Sequence, residues 1–319
     1  MELRPLGESP IRIAPLALGG NVFGWTADEA TSHALLDRFA AAGGTMIDTA
    51  DSYNKWVPGH VGGESETIIG NWLAKSGRRK QMVIATKVGW EITAERKGLR
   101  RDYILRSVEG SLKRLQTDYI DVYFSHVDDQ TVPLEETLAA HDALIRAGKV
   151  RIAGCSNYTA ARLKEALGVS AAKGLNRYQC LQPQFNLFDR AMFEAELQPA
   201  CREGKVGVVP YYPLAAGFLS GRYRDKTQIE GKARAGRLVN YLTPRGLRIL
   251  DALDAVGKRL GATPAQVAVA WVMAQPTIAA AIASATSIAQ LDELIGAMQL
   301  HLDAAARAAL DAASADTAA

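Results

Sequence analysis

The chain has 319 residues, of which 48% are hydrophobic and 22% charged, and its formal net charge is +3. This is an ordinary soluble globular composition, long enough for one large α/β domain or two smaller ones and too weakly basic to argue for nucleic acid. Its three cysteines, Cys155, Cys180 and Cys201, are too few and too spread for a disulfide framework or a zinc site, which points to a reducing, cytoplasmic setting.

In chain order, the opening "MELRPLGESPIRIAPLALGG" carries proline, glutamate and arginine where a secretory segment would be continuously apolar. No stretch of about eighteen apolar residues occurs, so no membrane span is expected. Short apolar runs then alternate with helical patterns. The runs are "IAPLAL" (13–18), "TMID" (45–48), "MVIATK" (82–87), "YIDVYF" (119–124), "VRIAGC" (150–155), "CLQP" (180–183), "VGVVPY" (206–211) and "TIAAAI" (277–282). The basic cluster "GRRK" (77–80) reads as a solvated loop before the third of these. Residues 103–115 put Ile104, Val108, Leu112 and Leu115 on one stripe, with Arg106, Lys113 and Arg114 outside it. "TPAQ" (263–266) has the threonine, proline and glutamine of a capped helix start, and "SIAQ" (287–290) repeats it without proline. "SGRYRDKTQIEGKARAGR" (220–237) reads as a long functional loop after the seventh strand.

Strict alternation of strand and helix implies a parallel sheet, and strands without period-two polarity imply one covered on both faces. Eight such units fit a (β/α)8 barrel. An open doubly wound sheet would want a glycine-rich turn after its first strand, and "LGGNVFG" (18–24) does not supply G-x-G-x-x-G.

Barrel chemistry sits at the C-terminal strand ends. Those ends carry Asp48 with Tyr53 just beyond, Lys87, His126, Ser156 with Asn157, Gln182, and Tyr211; "ASATSIAQ" follows the eighth strand. A free phenol has a pKa of about 10 and is a poor acid, which a neighbouring ammonium improves. Lys87 can supply that charge, and a buried lysine wants a carboxylate such as Asp48. His126 can donate a hydrogen bond to a substrate oxygen. Such a set can protonate a carbonyl oxygen while hydride arrives at carbon. His33, His60, His141 and His301 lack the strand-end position and read as core or solvated histidines. Asp128 and Asp129 read as loop caps rather than metal ligands, and no metal is expected. Cys155 reads as a small buried hydrophobe. A Ser–His–Asp hydrolase centred on Ser156 lacks the G-x-S-x-G elbow.

In this order, "DTADSY", "IATKVG", "YIDVYFSHVDD", "VRIAGCSNY", "LQPQFNL" and "YYPLAAGFLSGRY" resemble the motifs of the aldo-keto reductases, over nearly the whole chain. The resemblance implies a single domain over residues 1–319, a (β/α)8 barrel with an N-terminal β-hairpin and extra helices near the C-terminus. It implies Tyr53 as general acid, with Asp48, Lys87 and His126 completing a tetrad. Ser156, Asn157 and Gln182 would hold the nicotinamide carboxamide, and Tyr211 would stack on its ring. The segment from Leu214 through Gly217, Leu219 and Ser220 to Arg222 would wrap the pyrophosphate. Ser284, Thr286, Gln290 and Glu293 fall in the adenosine-phosphate segment.

That last segment departs from the family pattern. Ser284 and Gln290 stand where basic residues are common, and Leu294 follows Glu293 where asparagine is usual. NADPH is the family default, but NADH use is implied as an alternative, because a 2′-phosphate wants Arg or Lys. Gln290 equally suits a capping box on Ser287, and Arg234 or Arg237 could fold over to restore charge. The insertion "NKWVPGHVG" (54–62) follows Tyr53 and would shape the pocket, with Phe23, Trp25, Trp56 and Trp90 as candidate walls. Such walls suit a sugar ring or a flat apolar carbonyl compound. The function implied is NAD(P)H-dependent reduction of aldehydes, ketones or open-chain sugars, or the reverse. The alternatives are an NAD-dependent sugar dehydrogenase of the same family and a cofactor-sensing regulatory subunit resembling potassium-channel β subunits. Small-molecule substrate and dinucleotide are the expected partners.

Overall fold

The computed structural model describes residues 2–231 and 235–315. A short antiparallel hairpin, β1 Arg4–Pro5 and β2 Arg12–Ile13, comes first. Eight parallel strands follow: β3 Leu16–Gly19, β4 Met46–Asp48, β5 Val83–Val88, β6 Ile120–Ser125, β7 Val150–Ser156, β8 Tyr178–Gln182, β9 Gly207–Val208 and β10 Ala281–Ala283. They lie in the order β10-β3-β4-β5-β6-β7-β8-β9. The two ends of this sheet meet, with Val208 N–H donating to the Thr277 carbonyl at 3.1 Å and Ile282 N–H to the Pro210 carbonyl at 2.9 Å. The sheet is therefore a closed barrel, with no exposed edge between β9 and β10.

The strands are buried on both faces, apart from Arg151 and the half-buried Gln179; most of their side chains are apolar, and buried polar ones such as Thr86, Lys87 and Asp121 have hydrogen-bonding partners. One face meets the helices. The other fills the barrel with Ala17, Met46, Val83, Ala85, Val122, Phe124, Ile152, Cys180, Val209 and Ile282. Leu6, Ile11 and Ile13 of the hairpin region join this inner cluster.

Around the barrel run α1 Glu29–Ala41, α2 Glu64–Ser76, α3 Arg101–Leu115, α4 Leu134–Arg146, α5 Ala160–Lys173 and α6 Gln198–Glu203. After β9 come the short α7 Ala235–Leu238, then α8 Pro244–Leu260, α9 Pro264–Met273, α10 Ile288–Ala297 and α11 Ala304–Ser314. Helix α9 packs on β10 and α10, and α10 packs on α1, which completes the ring; α8 and α11 pack on each other outside it. No helix among the described residues is long and apolar enough to cross a membrane.

The expected stripe of α3 is buried in full, but Arg114 is not outside it: its Nε reaches the buried Glu66 of α2 at 2.7 Å. In "GRRK", Arg79 is likewise no loose surface cation. It donates to the Tyr119 carbonyl at 2.8 Å and pairs with the buried Asp121 at 2.9 Å. Thr263 forms the expected capping box with Gln266. Ser287 caps α10, but the Gln290 side chain turns to Thr286 instead of closing a box. The seventh and eighth strands are shorter than their apolar runs. Pro210 has no N–H to offer a ladder, and Thr277 is left-handed at φ 71°.

Gly70 marks the closest approach of α2 to α3, since a Cβ there would stand 2.0 Å from the Arg114 carbonyl oxygen. Helix propensity alone would make Gly70→Ala stabilising by about 1 kcal/mol. The backbone clash reverses that sign, and urea unfolding should show a loss of about 2–3 kcal/mol.

Candidate active site

Successive strand residues face opposite sides, so the inner face recurs every two positions. Following that period outward from the inner cluster, Met46 leads to Asp48, Val83 and Ala85 to Lys87, and Val122 and Phe124 to His126. Ile152 leads through Gly154 to Ser156, Cys180 to Gln182, Val209 to Tyr211, and Ile282 to Ser284. The polar strand ends are thus the continuation of the hydrophobic interior, and all of them face the barrel mouth.

Lys87 is fully buried and Asp48 is 1% exposed. An ammonium has three protons to place. Lys87 Nζ donates to Asp48 Oδ2 at 2.8 Å, to the Thr49 carbonyl at 2.7 Å and to the Tyr53 hydroxyl oxygen at 2.7 Å. The Tyr53 hydroxyl in turn donates to Asp48 Oδ2 at 3.2 Å. Gln182 Nε2 donates to the other carboxylate oxygen, Asp48 Oδ1, at 2.8 Å. The Thr49 carbonyl and the Gln182–Asp48 bond were not foreseen. The first is a backbone atom without a sequence signature, and the second joins strands 134 positions apart.

Burial pulls the Lys87 amine below its ordinary range, and the Asp48 carboxylate opposes that pull. The expectation that the ammonium simply lowers the phenol is corrected. Burial, together with Asp48, lifts the Tyr53 hydroxyl well above an ordinary phenol, so it keeps its proton near neutrality. The imidazole of His126 is pushed far down by burial and by Lys87 and is neutral at neutral pH. Its Nδ1 is buried with no partner among the described residues.

Beside this centre, Asn157 Nδ2 donates to the His126 carbonyl at 2.9 Å and to Ser156 Oγ at 3.1 Å. Ser156 Oγ donates to the Gln182 carbonyl at 2.8 Å, and the Tyr211 hydroxyl donates to Asn157 Oδ1 at 2.9 Å. Asn157 holds φ at +61°, a conformation asparagine tolerates better than most residues. Ser156, Asn157, Gln182 and Tyr211 are therefore one connected patch. The next segment is a tight turn in which Tyr212, Ala215 and Ala216 all have positive φ. Leu214 and Gly217 are half-buried and Leu219 is buried, so this segment presents mainly backbone. Ser220 Oγ donates to the Gly217 carbonyl at 2.7 Å, and Arg222 Nε to Ser220 Oγ at 3.0 Å.

The segment after β10 holds no free cation. Ser284 Oγ donates to Asn21 Oδ1. Gln290 Oε1 accepts from Thr286 N–H at 2.9 Å and from its hydroxyl at 3.1 Å. Glu293 is half-buried on α10. Arg237 donates to the Tyr212 hydroxyl and lies over that ring at 5.2 Å. Arg234 lies outside the described residues.

Around the mouth, the rings of Trp25 and Trp56 meet edge to face at 5.7 Å, and Trp56 is 6.3 Å from Tyr53. Trp90 lies 5.3 Å from His126. Phe23 is not a wall. It is fully buried in the strand–helix core, and its carbonyl accepts from the side chain of Asn54, which ties the insertion down. Cys155 is buried as expected, and Asp129 caps Leu99 N–H and Thr131. No cluster of three or more metal-ligating side chains occurs among the described residues.

A parallel eight-stranded barrel that gathers a phenol, an amine, a carboxylate and an imidazole at its C-terminal mouth has the plan of a barrel enzyme. The sequence model of the aldo/keto reductase family matches residues 15–315. The chain is 34% identical over 310 residues to the "Uncharacterized oxidoreductase YrpG" of Bacillus subtilis, covering 95% of this chain and 93% of that one. It is 33% identical over 310 residues to the "Probable voltage-gated potassium channel subunit beta" of Oryza sativa, covering 94% and 92%. It is 32% identical over 327 residues to "Protein tas" of Escherichia coli, covering 95% and 94%. The chain belongs to the aldo/keto reductase family, and it is an NAD(P)H-dependent oxidoreductase.

Removing one partner of a buried ion pair strands the other charge. Asp48→Ala leaves Lys87 without its carboxylate and should lower stability by about 3 kcal/mol in denaturant unfolding at pH 7. Gln182→Ala, which removes one donor to Asp48, should lower it by about 1 kcal/mol.

Proposed function

We propose that this protein reduces an aldehyde, ketone or open-chain sugar to an alcohol, or runs the reverse oxidation, with Tyr53 as general acid. The observation that carries the reading is the 2.7 Å contact between Lys87 Nζ and the Tyr53 hydroxyl, backed by the carboxylate of Asp48. A nicotinamide dinucleotide, when bound, would supply the hydride. Tyr53 supplies the proton from a hydroxyl that burial keeps protonated. As the proton leaves, negative charge develops on the phenol oxygen, where an N–H of Lys87 already points. Asp48 holds that ammonium in its charged form and in place. His126, neutral because it is buried beside Lys87, can donate from its remaining nitrogen to the substrate oxygen.

The donor set beside the tetrad fits a nicotinamide dinucleotide. Ser156, Asn157 and Gln182 offer amide and hydroxyl groups to a carboxamide, and Tyr211 offers a ring. Leu214, Gly217, Leu219, Ser220 and Arg222 line the turn proposed for the pyrophosphate; the Gly217 and Leu219 N–H groups already donate to the Leu214 carbonyl at 2.9 and 3.1 Å, so the exposed Arg222 guanidinium is the main donor proposed for it. Thr286 and Glu293 stand in the adenosine segment with Ser284 and Gln290. The last two are already bonded to Asn21 and Thr286 and bring no charge to a 2′-phosphate. Trp25, Trp56 and Trp90 are the proposed substrate walls.

A second reading has one specific support, the similarity to a protein named as a channel β subunit. It makes this chain a cofactor-binding module that acts on a partner. Turnover of a carbonyl panel without any partner, at rates of about 1 per second or more, argues for the enzyme. Cofactor binding without turnover, together with stable capture of a membrane protein, argues for the module.

Tyr53→Phe should lower kcat by about 10²–10⁴-fold, as expected for loss of a general acid, with dinucleotide affinity unchanged by fluorescence titration. Normal turnover in that variant removes the acid assignment. Titration of both cofactors should show an NADPH preference below about tenfold, because a missing charged contact forfeits about 1.5 kcal/mol or more. A preference above about a hundredfold overturns the reading of Ser284 and Gln290.

A further inference from the structure

The turn that delivers Tyr53 carries a second carboxylate that the proposed reaction does not use. Asp51 is 1% exposed, and its N–H donates to the Lys87 carbonyl at 3.3 Å. Ser107 of α3 donates to Asp51 Oδ2 at 3.1 Å. Asp51 Oδ1 is buried with no hydrogen-bond partner among the described residues. A carboxyl placed only for packing would have both oxygens satisfied, because a bare buried acceptor costs free energy.

The charged and titratable groups around it come from four elements. Glu66 of α2 is fully buried and accepts from Thr86 Oγ1 of β5 at 2.6 Å and from Arg114 Nε of α3 at 2.7 Å. Arg114 is thus committed to Glu66, and Asp51 has no ion pair among the described residues, although Arg114 and Arg96 lie near enough to act on it. Tyr103 of α3 and Tyr123 of β6 approach from the helix side, and the Tyr123 hydroxyl, near Ser107, is buried without a hydrogen bond of good geometry among the described residues. Arg96, in the segment between β5 and α3, and Lys87 complete the set. Thr86 and Lys87 are adjacent on β5 and so face opposite sides of the sheet. The Glu66 ion pair therefore lies behind the wall that carries the tetrad, and Asp51 sits in the turn between the two.

We propose that Asp51 is a positioning residue whose gain and loss of a proton switches the charge behind Lys87, and with it the hold on the protons of the Lys87–Tyr53 pair. The proposal rests on the reading of Tyr53 as the acid. Burial first, and then the Glu66 carboxylate, push Asp51 up to about 7, inside the range where a cell operates. Ionised Asp51 opposes the effect of burial on Lys87. Above its midpoint it adds negative potential, so Lys87 and Tyr53 keep their protons to higher pH. Below its midpoint it is neutral and that help is gone. The wild type and Asp51→Asn should therefore behave alike at pH 6 and diverge above pH 7.

Two measurements on the full-length chain test this. In the ligand-free protein, carbon NMR of carboxyl-labelled aspartate should show one resonance, absent from Asp51→Asn, titrating near pH 7. In Asp51→Asn the ε-carbon resonance of Lys87, assigned by its loss in Lys87→Met, should titrate about one unit lower or more. Ser107→Ala removes the bond that favours ionised Asp51 and should move the Asp51 midpoint up by about one unit, which keeps the test alive if Asp51→Asn does not fold. With a carbonyl substrate, the alkaline fall of kcat/KM should come earlier in Asp51→Asn than in wild type, while the acid side is unchanged. An Asp51 resonance that titrates near pH 4, or a Lys87 titration indifferent to Asp51, overturns the proposal even if turnover is normal. Coupling seen by NMR in a protein that turns over no carbonyl supports the charge switch and instead overturns the reaction it was assigned to.

Discussion

An ammonium cut off from water must find an acceptor for each of its protons, and much of this site follows from that requirement at Lys87. One acceptor is a carboxylate on the neighbouring strand, one is a backbone carbonyl, and the third is the phenol of Tyr53. Each is fixed by something other than the lysine. Asp48 is held by the barrel register and by Gln182 from the far side of the mouth. Thr49 N–H donates to the Ala85 carbonyl at 2.8 Å, so its own carbonyl is set by the extension of β4. Tyr53 is held by the turn that follows, where Asp51 N–H is tied to the carbonyl of Lys87 itself. The lysine is therefore satisfied only when β4, β5 and the turn are all in register. This coupling needs no dedicated scaffold, because the register that pairs β4 with β5 also sets the Tyr53 phenol beside the Lys87 amine.

The fold was legible because it is written in periods. The apolar runs mark all eight strands, and the four residues of the α3 stripe are all buried, although Tyr103 and Ser111 are buried beside them. The strand-end residues were legible for the same reason, since a side chain two positions beyond an inward apolar residue faces inward too. What stayed hidden depends on contacts between distant segments. Nothing in "TMIDTADSY" says that Asp51 turns into the sheet–helix layer while Asp48 turns into the barrel mouth. Arg114 reads as a surface residue of an amphipathic helix until Glu66 is placed opposite it. Phe23 reads as a pocket wall because aromatics near strand ends often are, but packing under the insertion claims it. A sequence suggests the neighbours of Tyr53 without giving their burial, and it is burial, followed by Asp48, that lifts the phenol above its ordinary range.

The cofactor side shows a different relation between sequence and structure. Three residues other than glycine, Tyr212, Ala215 and Ala216, are left-handed within five positions. Such conformations cost on the order of 1–3 kcal/mol each and persist only where the surroundings impose them. Here the surroundings are the bond from Ala215 N–H to the Tyr212 carbonyl and the close packing of Phe218 and Leu219 in the core. The turn thus directs backbone rather than side chains toward the mouth, so its residue types say little about what it binds. Across from it, the residues where a charge would be read from sequence, Ser284 and Gln290, spend their polar atoms on Asn21 and Thr286. Discrimination at the phosphate end is thus a question of what these neutral groups leave open, and Arg237 is engaged with Tyr212.

Three carboxylates and two cations are gathered around β4 and β5: Asp48, Asp51 and Glu66 against Lys87 and Arg114. Asp51 is the acid without an ion pair among the described residues, because the half-buried Arg96 of the segment after β5 acts on it without pairing with it. A low-dielectric interior does not tolerate an unpaired charge, so such a charge is relieved by protonating the acid with the weakest claim on a partner. Asp48 has the ammonium and the carboxamide of Gln182, and Glu66 has the guanidinium and the hydroxyl of Thr86. Asp51 has one serine hydroxyl and a bare oxygen. Two aspartates three residues apart on one turn are thereby given different tasks by their surroundings alone, as paired carboxyls in many active sites are. Asp48 is fixed as the counter-charge of the amine. Asp51 is the one of the three with the weakest hold on its charge, and the proposed switch rests on its nearness to Lys87.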